Sequence, residues 1–178
     1  MSMSSLPIAA AVLAAIGLAA AAPAPPKFGR PATPAEIARA DITVLPDGDT
    51  LPAGSGSVAQ GEAVFVEKCQ TCHGVAGAGD KADRLSGGIG SLATPKPIKT
   101  VSSYWPYATT VFDYIRRAMP LLQPQSLTSD EVYAVTAYLL SIDGIVPKTA
   151  VMDAKTLPLV KMPNRDGFVS YASGKPEK

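Results

Sequence analysis

Cys69-Gln70-Thr71-Cys72-His73 puts two thiols and an imidazole within five residues, and the chain has no other cysteine or histidine. This spacing is the attachment signature of a c-type haem. Each sulfur can add to one vinyl group of the porphyrin, and the histidine that follows lies under the ring and offers one axial nitrogen to the iron. The expectation is therefore one covalent haem, no disulfide and no second metal site. Two rival readings fail on spacing and count. A thioredoxin-like dithiol opens a helix after a strand, whereas this motif follows a helical pattern. Structural zinc takes four Cys or His ligands, and only three are present.

The flanking pattern is helical. Ser57-Val58-Ala59-Gln60 reads as a capping box, opening a helix through Glu67-Lys68 into Cys69. Gly61 and Phe65, four apart, share a face. A mid-helix glycine costs about 1 kcal/mol in propensity, which suits a close helix crossing at that point. From Gly74 to Ala108 the chain is rich in glycine and then proline, without helical period; so long a loop fits a compact domain only around a cofactor. Thr109 or Thr110 is the expected cap of a short helix over Val111–Ala118, ending at Met119-Pro120. Thr128-Ser129-Asp130-Glu131 is a second capping box, and Val132, Val135, Tyr138, Leu139 and Ile142 form the expected apolar stripe of the helix it opens. Pro34–Ala40 reads as a short helical turn, with Thr33 as cap and Pro34 at its first position.

A thioether opposite His73 would favour the ferrous state, whereas an open position would leave room for ligand chemistry. Met119 follows a helix end and lies beyond the long loop, so the chain can wrap the ring and return from the opposite side. Pro120 biases Met119 towards extended backbone. Met162, also followed by proline, Met152 and an open iron are the alternatives, and methionine as core filler is the plain reading. Tyr104 and Trp105, in Tyr104-Trp105-Pro106-Tyr107, combine large apolar faces with a polar tip; they suit either a haem edge or an ordinary core. Arg84, Lys99, Arg116 and Arg117 are available to propionates or to solvent.

Lys and Arg number 16 against 15 Asp and Glu, so no nucleic-acid or anionic-membrane partner is indicated. No charge precedes Lys27, and Leu6–Ala22 is an almost unbroken apolar run with a small-residue end, as in an export signal cut near Ala19–Ala22. The n-region lacks its usual Lys or Arg. A retained anchor is the alternative, although 17 residues that include Pro7 are short for a bilayer. Either way the domain is expected in the periplasm, with no membrane span in the mature form. The expected organisation is a signal over 1–22, an extended arm over 23–56, a haem domain over 57–144 and an irregular extension over 145–178.

Gly61, Phe65, Cys69–His73, Met119-Pro120 and Tyr138-Leu139 together resemble a class I cytochrome c. The resemblance implies an all-α fold of three main helices around one covalent haem c, with Cys69, Cys72, His73 and Met119 as its attachment and axial residues. Gly29–Pro34, Lys99–Val101, Ser103–Thr110, Asp113–Pro120, Asp130–Leu140 and Lys161–Phe168 are similar to SoxD-type cytochrome subunits. That family implies a molybdenum-cofactor partner of the SoxC type, oxidation of sulfane sulfur or sulfite at the molybdenum, and a downstream acceptor such as another cytochrome c. The protein would then be an electron-transfer subunit that does not itself oxidise the substrate, its long arms free to wrap the partner. A freely diffusing respiratory shuttle is the second reading, although the balanced charge offers no steering face. A haem sensor with open iron is the third.

Overall fold

The computed structural model describes residues 28–169. The apolar run Leu6–Ala22, its expected cleavage, and residues 170–178 lie outside the described residues. The chain divides into two units, residues 1–37 and 38–178. Helix α1 (Pro34–Ala40) starts in the first. As expected, Thr33 caps it: the Glu36 amide donates to Thr33 Oγ1 at 3.3 Å, and Glu36 Oε2 accepts from the Thr33 amide at 2.8 Å. The Arg30 guanidinium, 2.5 Å from the Glu36 carboxylate, holds that exposed acid down at about 2, helped by the bonds from Thr33.

In the second unit, strand β1 (Ser55–Ser57) leads into α2 (Val58–Lys68), which continues after a break at Cys69 into the single turn α3 (Gln70–His73). A long loop with two 3-10 turns leads to α4 (Ala108–Ala118), then α5 (Ser129–Ile142), and β2 (Val151–Asp153) returns to pair antiparallel with β1, Gly56 opposite Met152. The all-α expectation holds, with α2, α4 and α5 as the main helices. The two short strands were not foreseen: three residues are too few to show alternation.

Both expected capping boxes form. Ser57 Oγ accepts from the Gln60 amide and Thr128 Oγ1 from the Glu131 amide, while the Gln60 and Glu131 side chains accept from the cap amides. Gly61 lies against Ala134 and Tyr138 of α5, where an added Cβ would run into the Ala134 carbonyl. The helix propensity lost at Gly61 is thus spent on backbone-to-backbone approach, and Phe65 packs on Tyr138 with ring centroids 5.3 Å apart. Lys68 Nζ meets Glu131 Oε1 at 2.5 Å across the same crossing.

Three expectations need correction. Helix α4 starts at Ala108, with Tyr107 as its cap residue, because the two threonines are engaged otherwise: Thr110 Oγ1 donates to the Tyr107 carbonyl and Thr109 Oγ1 to that of Pro46, each at 2.8 Å. Helix α5 is not apolar along one stripe only. Val132, Tyr133, Val135, Ala137, Leu139 and Leu140 are all buried, whereas Tyr138 is half-buried. Its second covered face is supplied by residues 42–57, which are laid along the helices. Tyr133 Oη donates to the Pro52 carbonyl, Asp130 accepts from the Ser55 amide, and Asp113 accepts from the Val44 amide. Burial pushes the Tyr133 hydroxyl up to about 12. Val44 of this stretch, like Val146, Met152, Leu157 and Met162 of the following extension, belongs to the core. These buried side chains are therefore not available to a partner. Each large side chain fully buried this way contributes about 1.5–3 kcal/mol relative to exposure.

Candidate haem site

The α2–α3 junction fixes the motif. The Cys69 amide donates to the Phe65 carbonyl at 2.9 Å, and the Cys72 and His73 amides both return to the Cys69 carbonyl at 3.1 and 3.0 Å. One continuing helical turn therefore carries Cys69, Cys72 and His73 on a single side, at the i, i+3 and i+4 positions that meet in space. Cys69 is half-buried and Cys72 exposed. Burial pushes the free Cys69 thiol up to about 11, against the pull of the Lys68 ammonium.

His73 is oriented from behind. Its Nδ1 lies 2.8 Å from the Asp83 carbonyl oxygen, and a carbonyl only accepts. Nδ1 therefore carries the ring proton, leaving the Nε2 lone pair bare for a metal. The loop that delivers Asp83 is itself pinned: the Gly79 amide donates to the His73 carbonyl at 2.7 Å and the Ala82 amide to the Cys72 carbonyl at 2.8 Å. Gly74, at φ +74°, permits this return, because a Cβ there would sit 2.6 Å from the Gly79 carbonyl oxygen. Further along, Gly88 lets the loop close on the Ile98 carbonyl. These glycines therefore bring loop against loop.

Cys69, Cys72 and His73 form one wall of a cleft of about 150 Å³, whose remainder is Phe65, Lys68, Ala82, Leu85, Ile115, Val135, Leu139, Pro120 and Leu121, with Met119 opposite. A second cleft of about 420 Å³ shares His73, Ala82, Leu85, Ile115, Met119 and Leu139 with it and adds Asp83, Arg84, Lys99, Trp105, Val111 and Tyr114. The two are openings of one slot. Its size falls in the range of small-molecule sites. The donors suit a haem: two thiols and a bare imidazole nitrogen on one wall, a thioether on the other, hydrocarbon between, and two cationic side chains at one mouth.

Met119 caps the end of α4 in extended conformation, φ −117° and ψ 146°, its amide bonded to Ile115. Met152 and Met162 are buried elsewhere in the core and line neither opening. Trp105 lines the slot and packs edge-on against Tyr114, centroids 5.6 Å apart. Tyr104 does not line it. It ends a turn, its amide bonded to the Thr100 carbonyl at 3.0 Å, and its ring packs against Phe168 at 5.2 Å. Arg116 and Arg117 also point away, Arg116 to the Ile42 carbonyl and Arg117 to Asp113. Leu85, Ile115 and Tyr114 were not singled out beforehand, since nothing in a lone apolar residue marks it as a lining group.

A sequence profile of the cytochrome c family matches residues 58–143. A chain in the crystal structure of the sulfane dehydrogenase SoxCD from Paracoccus pantotrophus is 46% identical, with a TM-score of 0.75, over 79% of this chain and 70% of that one. No curated protein matches. The chain belongs to the cytochrome c family, whose members transfer electrons through haem c. The resemblance to the SoxD-type cytochrome that the sequence suggested is borne out by the second match. Among the described residues no helix is long and apolar enough to cross a membrane.

Proposed function

We propose that the protein is a periplasmic monohaem cytochrome c that accepts electrons from a molybdenum-containing sulfur dehydrogenase and passes them to a downstream acceptor such as another cytochrome. Cys69 and Cys72 would carry the haem, and His73 Nε2 and Met119 Sδ would supply nitrogen and sulfur to its iron. The bound haem supplies one-electron exchange between ferrous and ferric iron. Asp83 keeps the His73 proton on Nδ1 and the ring in place. Phe65, Ile115 and Leu139, which line the cleft, would keep water from a bound iron and so favour its less charged ferrous state, as would a thioether ligand. Arg84 and Lys99, which line the wider mouth, would neutralise the carboxylates of a bound haem.

The observation that carries this reading is the slot itself, with thiols and an imidazole freed at Nε2 on one wall and a methionine on the other. Similarity to a chain of the sulfane dehydrogenase SoxCD supports the choice of partner. Mixing the haem-loaded protein with a purified SoxC-type molybdenum subunit and a sulfane substrate tests it. Haem reduction that requires both is the expected result. Reduction by respiratory complexes with none by the molybdenum subunit would favour the diffusing shuttle instead.

A further inference from the structure

We propose that the segment Asn164–Phe168 is a strap that positions Trp105 beside the haem, with Asn164, Arg165 and Phe168 as positioning residues for electron exchange at the iron. This rests on the reading that the slot holds haem.

Trp105 has little holding it from its own segment. Among the described residues, no backbone hydrogen bond ties Trp105 or Pro106 to another part of the chain. The residues on either side are gripped from a region 60 positions away. Asn164 Nδ2 donates to the Tyr104 carbonyl oxygen at 2.7 Å, and the Phe168 ring meets the Tyr104 ring edge-on at 5.2 Å. The Arg165 guanidinium lies 3.9 Å from the centre of the Tyr107 ring, a stacking geometry that favours a planar cation. The strap is anchored upstream by Met162, which is 3% exposed. It is shaped by two turns, the Arg165 amide bonding to the Met162 carbonyl and the Gly167 amide to that of Asn164. Gly167 leaves room for the Asn164 carboxamide: a Cβ there would run into Asn164 Oδ1. So Tyr104 and Tyr107 are clamped, and the indole between them is presented to the slot that contains His73 and Met119. Releasing the clamp lets water replace the indole, and a more polar surrounding favours ferric iron.

Trp105 is the chain's only tryptophan, so its emission reports its own distance from the haem, which quenches by energy transfer. The test uses the full-length haem-loaded protein and the variants Arg165→Ala, Gly167→Ala, Asn164→Ala/Phe168→Ala and Phe168→Tyr. The expected result is a several-fold rise in Trp105 emission and a lower midpoint potential in the first three, with wild-type values restored in Phe168→Tyr, which keeps the aromatic edge. Wild-type emission and potential in Arg165→Ala overturn the proposal. That side chain is exposed, so its removal leaves the fold intact even where the double variant does not fold. Unquenched Trp105 in the wild-type holoprotein would instead remove the haem from the slot and overturn both readings, a result distinct from unchanged variants.

Discussion

On the wall that carries Cys69, Cys72 and His73, every group is held by neighbours close in sequence; on the wall that carries Met119 and Trp105, much of the holding comes from far along the chain. The first wall is closed by bonds from Cys69 to His73, from His73 to Gly79 and from His73 to Asp83, all between residues 69 and 83. Met119 is placed by the end of α4 and the segment turning at Pro120, and Trp105 by Tyr114 on one side and by neighbours gripped from 164–168 on the other. Covalent attachment needs fixed geometry between the motif and the porphyrin, and local hydrogen bonds supply it. Tuning of the iron needs only a shielding cover, and that side ends in exposed Leu121 and Leu122, 75% and 92% accessible.

The contrast can be broken most sharply by removing the thioethers. Cys69→Ser/Cys72→Ser should lose all haem that survives denaturing electrophoresis, while Met119→Ala keeps it; haem staining of the two gels decides. Next in size, Gly74→Ala should destabilise the domain by about 3 kcal/mol, because alanine at φ +74° is strained and its Cβ meets the Gly79 carbonyl. A denaturant midpoint equal to wild type would show that the loop behind His73 yields easily.

A smaller effect is expected where Lys68 on α2 joins Glu131 on α5. The Lys68 ammonium, first, and the Thr128 amide hold the Glu131 carboxyl below its ordinary 4.5. Its folded value is therefore lower than its unfolded one. Its stabilisation is present above about 4.5 and is lost as pH falls through the folded value. The Lys68 shift runs upward from 10.5, mainly through the same bond, so its share persists to neutral pH and fades only above that value. Glu131→Gln keeps the capping box and should cost about 1 kcal/mol at pH 7, the gap to wild type closing below pH 4.5. Melting curves across pH would show it, and a pH-independent gap would assign the loss to packing. Least of all, Leu121→Ser and Leu122→Ser should leave stability within about 0.5 kcal/mol, as thermal melts can verify.

The same division explains what could be read beforehand. The haem motif and both capping boxes were legible because short-range chemistry dictates them: Ser57 with Gln60, Thr128 with Glu131, Cys69 with His73. Gly61 was legible as a crossing point because a helix tolerates glycine only for a reason. What lay beyond reach was made by distant pairs. Nothing local to Thr109 announces that its hydroxyl serves Pro46, or that Tyr133 will reach Pro52. Residues 42–57 read as an extended arm because proline and glycine hide their periodicity, and Val44 within them is 4% exposed. The strap over Tyr104 and Tyr107 was equally invisible, its partners being known only once the chain had folded back.

The identity of the two axial atoms is the centre of the account, and the ferric absorption spectrum tests it most directly. The weak red-edge band of thioether-to-iron charge transfer should be present in the purified wild-type protein, unchanged in Met152→Ala and Met162→Ala, and absent in Met119→Ala. Its persistence in Met119→Ala would contradict the placement of iron between His73 and Met119.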